Sequence, residues 1–132
     1  AAPWVEAEKL ARNLNGLNVP GIVFRPMYLK PFYSVGKGEL LQGVQVHIMD
    51  FGKAPLSEIH ILVIQEVASL YPDRAGFDHA DKGRFAMFDK VSGSKQIRER
   101  FSKRNRWEDI RDYWYKDVEE FRKLSKQYYL YK

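Results

Sequence analysis

The chain has 132 residues and no cysteine, which excludes disulfide bonds, thiolate metal ligands and cysteine nucleophiles. It also lacks a long hydrophobic run, since none approaches the roughly 18 apolar residues that a membrane-spanning helix requires. Glycine-rich phosphate motifs are missing, and the three histidines, His47, His60 and His79, lack the close spacing of metal ligands. We therefore expect no cofactor, no metal and no membrane span.

The composition is that of a basic, aromatic-rich globular protein. Aromatic residues make up 14% of the chain, the net charge is +5, and the isoelectric point is about 9.4. The length suits one domain, residues 1–132, that can bury a core without disulfide or metal cross-links. A basic surface permits an anionic partner but does not demand one. The chain opens Ala-Ala-Pro-Trp rather than with Met, which we interpret as a start within a longer or processed polypeptide.

Hydrophobic periodicity predicts an α+β fold. Apolar residues recur every three or four positions in three segments, and two other segments are rich in β-branched and aromatic residues. Pro26 cannot donate to a ladder, so its strand is expected to be an edge or to carry a bulge. We predict a small mixed sheet packed against three or more helices, with strands at 21–29 and 43–50 and helices at 3–15, 55–70 and 106–125.

The second half of the chain gives weaker signals. Residues 84–89, RFAMFD, suggest a short strand, and residues 92–101 suggest a short helix capped by Ser92 or Ser94. Asn105 followed by Glu108 has the spacing of a capping box, which predicts that the last helix begins there.

Residues 28–50, YLKPFYSVGKGELLQGVQVHIMD, combine flat aromatic rings with polar groups. Tyr28, Phe32 and Tyr33 can stack on the apolar faces of sugar rings. The alternation of the second strand places its valines on one face and its polar side chains on the other. The polar groups that can bind hydroxyls or a carboxylate are Lys37, Glu39, Gln45 and His47. A binding site needs this mixture, but the composition by itself favours the alternative, a structural hairpin whose aromatics pack on the core.

Residues 97–106 form a basic run with interleaved aromatics, IRERFSKRNR. Such a run can contact a phosphate backbone. Neighbouring acidic residues dilute its charge, so a solvated helix face is the alternative that we favour, and we expect no nucleic-acid partner.

A set of ordered motifs resembles one bacterial family. The motifs are APW, a helix of the form AEKLAxxLN, LNxPGxxFRPxY, GE followed after three residues by GVQxHxxD, then LYPD and a closing YLY. Over nearly the whole chain, this order is similar to that in the C-terminal domain of the exo-β-N-acetylmuramidases.

The resemblance implies a two-domain peptidoglycan glycosidase, periplasmic or secreted. This chain would pack against an N-terminal Rossmann-like domain that carries the catalytic glutamates, so no catalytic residue is assigned here. It would supply part of the cleft that holds a terminal N-acetylmuramic acid. The residues expected to contact that sugar are Arg25, Phe32, Tyr33, Lys37, Glu39, Gln45 and His47. The alternative is a non-catalytic carbohydrate-binding or envelope-interaction module.

Overall fold

The structure, a computed structural model, describes residues 1–33 and 35–131. The chain divides into two compact units, Ala1–His79 and Ala80–Lys132. No helix among the described residues is long and apolar enough to cross a membrane.

The first unit is a β-hairpin packed on two helices. Its elements are α1 (Ala7–Gly16), β1 (Ile22–Leu29), β2 (Leu41–Ile48), α2 (Ile59–Leu70) and a 3₁₀ turn at Phe77–His79. The α+β class is confirmed. Within the described residues, however, the sheet consists of two antiparallel strands rather than the mixed sheet that we predicted.

The helix α1 begins at Ala7 rather than Pro3 because the residues before it have other contacts and conformations. Ala2 forms an antiparallel bridge with Gln42, and Glu6 is extended (φ −93°, ψ 102°). No side chain caps this helix in the usual way; instead the N–H of Glu6 donates to the hydroxyl of Tyr71 over 2.8 Å. The predicted stop at Gly16 is confirmed.

The core of the first unit lies between one face of the hairpin and the helices. Its buried members come from α1, from β1 and from the segment before α1: Val5, Leu10, Leu14, Ile22 and Phe24. Val63 and Val67 of α2 pack against this cluster. Burying an aliphatic side chain of this size contributes roughly 1.5–3 kcal/mol, so the core holds the hairpin firmly by one face.

The second unit is helical. It contains α3 (Phe85–Val91), α4 (Lys95–Phe101), α5 (Arg111–Tyr115) and α6 (Val118–Ser125), with 3₁₀ turns at Lys82–Arg84, Trp107–Asp109 and Lys126–Tyr128. Ile97, Phe101 and Ile110 are its buried aliphatic and aromatic residues among those described.

Two predictions for this unit are wrong. Residues 84–89 do not form a strand, because Phe85 and Phe88 lie three positions apart on one face of α3 and both are half-buried there. The helix predicted at 106–125 is divided, because Ile110 (φ −120°) and Asp117 (φ −112°) leave the helical conformation.

Asn105 is also not the predicted N-cap. Its φ of +52° is left-handed, whereas an N-cap is extended, and its N–H donates to the carbonyl of Phe101 over 2.7 Å. Asn105 therefore closes the turn that follows α4, whose C-cap is Ser102. The prediction for Ser94 is confirmed, since its hydroxyl accepts from the N–H of Gln96 at the start of α4.

Candidate functional site

The hairpin presents two chemically different faces. In its register, Ile22, Phe24 and Pro26 lie opposite Ile48, Val46 and Val44, while Val23 and Arg25 lie opposite His47 and Gln45. Directly opposed residues of an antiparallel pair project to the same side. The first set therefore faces the helices, and Val23, Arg25, Gln45 and His47 share the other side.

The side chain of Asn15 fixes the position of β1. Its amide donates to the carbonyl of Phe24 over 2.8 Å and its oxygen accepts from the N–H of Phe24 over 2.9 Å. These bonds replace those that a neighbouring strand would make, so the outer edge of β1 is satisfied at its centre. The sequence offered no sign of this contact, because nothing in a helical asparagine shows which strand it will reach.

The face away from the helices, which we call the polar face, comprises Val23, Arg25, Gln45 and His47. The Nε2 atom of His47 lies 3.1 Å from Oε1 of Gln45, and the Nε2–H tautomer donates across this distance. The contact orients the imidazole along the strand. Arg25, directly opposite Gln45, adds a cation that is always charged. The structure thus brings three of the predicted site residues together.

The other four predicted residues lie in the loop that joins the strands. Phe32 and Tyr33 are 88% and 76% exposed, and Lys37 and Glu39 are also exposed. The structural interpretation of this stretch required its aromatics to pack on the core. Phe32 and Tyr33 do not do so. Ser34, between these aromatics and Lys37, is outside the described residues.

The loop is stabilised by a backbone hydrogen bond and by the close approach of Gly36 to the side chain of Leu41. Gly38 donates to the carbonyl of Pro31 over 3.0 Å, and a side chain on Gly36 would lie 2.8 Å from Cδ1 of Leu41. Gln45 and His47 lie four and six residues beyond Leu41, which corresponds to roughly 13–20 Å along a strand. The predicted residues therefore form two groups on one hairpin, a loop group and a polar-face group.

Tyr28 differs from both groups. It projects to the same side as Gln42, and its hydroxyl lies 3.5 Å from Oε1 of Glu8 on α1. It is therefore separate from the polar face.

The described residues contain no cluster of three histidine or acidic side chains that could hold a metal ion. His47, His60 and His79 lie on β2, on α2 and in the 3₁₀ turn that follows α2.

The cations of the basic run 97–106 are largely engaged. Arg98 makes two 2.8 Å hydrogen bonds to Asp89, and Arg104 pairs with Asp109 and Glu108. The guanidinium of Arg100 lies 4.5 Å from the ring centroid of Tyr113. These contacts tie the cations to acidic and aromatic partners of the same unit, which favours the interpretation as a structural helix face.

Comparisons with known proteins agree on one family. The family described as "Exo-beta-N-acetylmuramidase NamZ, C-terminal" matches residues 1–131. The peptidoglycan β-N-acetylmuramidase NamZ of Bacillus subtilis (strain 168) is 31% identical over 130 residues, which cover 98% of this chain and 30% of that protein.

A solved structure is also similar over the whole chain. The crystal structure of a DUF1343 family protein from Bacteroides fragilis superposes with a TM-score of 0.95 at 76% identity, covering 100% of this chain and 34% of that one. The chain thus spans about a third of the length of these relatives. With a match from residue 1 to residue 131, it belongs to the family of C-terminal domains of the exo-β-N-acetylmuramidase NamZ.

Proposed function

We propose that this chain is the C-terminal, cleft-forming part of a periplasmic or secreted glycoside hydrolase that releases terminal N-acetylmuramic acid from peptidoglycan fragments. In this proposal the chain grips the sugar and shapes the cleft. An upstream Rossmann-like domain of the same protein supplies the general acid and base. Membership of the NamZ C-terminal family supports the substrate class, and the relative named for this activity is about three times as long as the chain.

The polar face carries the proposal. Arg25, Gln45 and His47 lie on one side of a hairpin whose other side is anchored in the core. A cation, an amide and an imidazole on a rigid sheet suit a ligand that has hydroxyl groups, an acetamido group and a carboxylate. N-Acetylmuramic acid has all three, the carboxylate being that of its lactyl ether.

Two cations are candidates for that carboxylate. Arg25 lies on the polar face and Lys37 in the loop, so each belongs to one of the two groups. A hydrogen bond between charged partners contributes on the order of 1.5–3 kcal/mol. Glu39 is the loop acceptor for sugar hydroxyls, and Phe32 and Tyr33 offer exposed rings for stacking.

The test separates the two parts of the protein. Residues 1–132 alone should release no N-acetylmuramic acid from a chromogenic β-N-acetylmuramide, whereas the full-length protein should release it. Turnover by residues 1–132 alone would overturn the proposed division of labour. Lack of turnover by the full-length protein on this substrate would overturn the activity itself.

The second candidate is a carbohydrate-binding module that acts without an upstream catalytic domain. The observation in its favour is the exposure of Phe32 and Tyr33, because stacking platforms on such modules are solvent-facing. Calorimetric titration of residues 1–132 with muropeptides distinguishes the two. Saturable binding that Tyr33→Ala abolishes supports the module, and no measurable heat supports a cleft completed by another domain.

A further inference from the structure

The two edges of the hairpin differ in their free hydrogen-bonding groups. On β1, the outward N–H and C=O of Phe24 are taken by Asn15, and Pro26 has no N–H. This edge therefore has little capacity to accept another strand.

The outer edge of β2 is open beyond a single bridge. Gln42 and Ala2 exchange two backbone hydrogen bonds of 3.0 and 3.1 Å. Residues 44 and 46 have the same parity as Gln42, so their N–H and C=O groups also point to this edge. No described residue donates to or accepts from these groups of Val44 and Val46. A row of unpaired backbone groups of this kind is a template for a further strand.

An apolar pocket adjoins this open edge. It has a volume of about 270 Å³, and Val44 and Val46 of β2 face Val63 and Val67 of α2 across it. Trp4 and Ala1 form part of its rim. Val46 is 37% exposed although it lies on the core side of the hairpin. The helix α2 thus presents apolar side chains to a space that the two-stranded sheet does not cover.

The first residues of the chain already follow this edge. A Cβ built on Gly43 would lie 3.0 Å from Cβ of Ala1, so Ala1 lies directly beside β2. Continued backwards in the register of the Ala2–Gln42 bridge, the first residue upstream of Ala1 would face Val44 and the third would face Val46. Because opposed residues share a side, both upstream side chains would point toward the pocket.

We propose that the polypeptide immediately upstream of Ala1 in the full-length protein adds an antiparallel third strand to the outer edge of β2. Its first and third residues before Ala1 place apolar side chains in the pocket between β2 and α2. The strand makes the connection to the upstream domain rigid and so fixes the direction in which that domain leaves the hairpin. This inference rests on the proposed function, which joins the chain to an upstream domain.

Amide hydrogen exchange tests the proposal. In residues 1–132 alone, the amides of Val44 and Val46 should exchange rapidly, while those of Gln45 and His47, which bond to β1, exchange slowly. In the full-length protein the amides of Val44 and Val46 should slow by at least about tenfold. Equal rates in the two proteins would overturn the third strand. Protection in residues 1–132 that rises with protein concentration would also overturn it, because a second copy would then occupy the edge.

A matched pair of variants isolates the backbone bond. Val46→Pro keeps most of the apolar volume but removes the outward N–H, and the β1 ladder is spared because Phe24 bonds to Asn15 instead. Val46→Ala keeps the N–H and removes the volume. In the full-length protein, protease cleavage upstream of Ala1 should accelerate several-fold in Val46→Pro and much less in Val46→Ala. Equal cleavage of both variants and the wild type would contradict the pairing.

The readouts keep the two proposals apart. Hydrogen exchange and proteolysis report the strand, and release of N-acetylmuramic acid reports the activity. Protection without turnover leaves the third strand standing and overturns the proposed function. Turnover without protection overturns the third strand and leaves the proposed function standing.

Discussion

At the scale of single residues, the side chain of one asparagine makes hydrogen bonds to β1 that a neighbouring strand would otherwise make. Asn15 pairs with both backbone groups of Phe24 from the side of a helix. A lone side chain that satisfies two part-buried backbone groups leaves both without a protein partner when it is removed, and each lost partner costs free energy. The orientation of β1 against α1 therefore depends strongly on this amide.

We expect Asn15→Ala to lower the free energy of unfolding by about 1–2 kcal/mol, because two hydrogen bonds are lost. Asn15→Asp should cost at least as much, since a carboxylate still accepts from the N–H of Phe24 but its second oxygen would face the carbonyl oxygen of Phe24, an acceptor against an acceptor. Urea denaturation measures both. Asn13→Ala on the same helix is the control and should change stability by less than about 0.5 kcal/mol. Equal stability of Asn15→Ala and wild type would contradict the role of this contact.

The ion pair between Asp89 and Arg98 gives a pH-dependent prediction. The two hydrogen bonds from Arg98 hold the pKa of Asp89 below its ordinary value of 3.8. Partial desolvation of Asp89 opposes this lowering, and the positive charge of Arg98 adds to it. A carboxyl with a lowered pKa stabilises the fold above its ordinary pKa, and this stabilisation is lost as the pH falls through the folded-state value.

Asp89→Asn should therefore have a lower Tm than the wild type at pH 6, and the difference should shrink below about pH 4. Thermal denaturation followed by circular dichroism across this range measures it. Asp73→Asn, at an exposed position, controls for the removal of one negative charge. A Tm difference between Asp89→Asn and wild type that stays constant from pH 6 to pH 2.5 would refute the pairing.

The sequence predicted which face of the hairpin some candidate residues occupy, but not the contacts that position them. The alternation of Gln45 and His47 with valines placed both on the polar face, because a strand has a period of two. Neither the hydrogen bond between them nor the opposition of Arg25 to Gln45 could be read from the chain. Those contacts depend on rotamers and on the register of the hairpin.

At the scale of secondary-structure elements, periodic segments were predicted well and interrupted ones were not. The helix α2 and both strands have a continuous apolar pattern, and the predicted ranges overlap the observed ones closely. The stretch 106–125 also has a helical pattern. It is divided at Ile110 and Asp117 because local backbone conformation, not hydrophobic spacing, sets where a helix stops.

The start of the hairpin should not tolerate a side chain at Gly21. Gly21 has a φ of +68°, and a Cβ there would lie 2.4 Å from the carbonyl oxygen of Asp50. That carbonyl belongs to the backbone just after β2, so it cannot move without shifting the strand. Gly21→Ala should therefore destabilise the fold by more than the roughly 1–2 kcal/mol expected for left-handed strain alone.

Gly38→Ala is the matched control, since Gly38 has a φ of +80° but open space around its Cβ position. The difference in free energy of unfolding between the two variants isolates the close approach to Asp50. If the two variants lose equal stability in urea denaturation, the close approach does not matter.

At the scale of the whole molecule, the hairpin has one packed face and one polar face. Its buried face packs on α1, and the proposed function assigns ligand binding to its polar face. The family resemblance over the whole chain was evident from ordered motifs. The division into two compact units was not, because no change in composition marks position 79.

Under the proposed function, His47→Ala in the full-length protein should lower kcat/KM for release of N-acetylmuramic acid by about tenfold or more, equivalent to about 1.4 kcal/mol. The Tm should stay within about 2 °C of the wild type, because the imidazole lies on the face that does not contact the core. His79→Ala, in the turn after α2, is the histidine control. Wild-type kinetics in His47→Ala would remove this residue from the site.

The hydroxyl of Tyr71, which accepts from the N–H of Glu6, connects the beginning of the first unit to a residue 65 positions later. During synthesis α1 leaves the ribosome early, but the bond at its first turn cannot form until the end of α2 has emerged. Short helices are marginal without tertiary support. The N-terminal helix should thus acquire its full order late, together with the hairpin, so that a nascent chain stalled before Tyr71 would show a frayed α1.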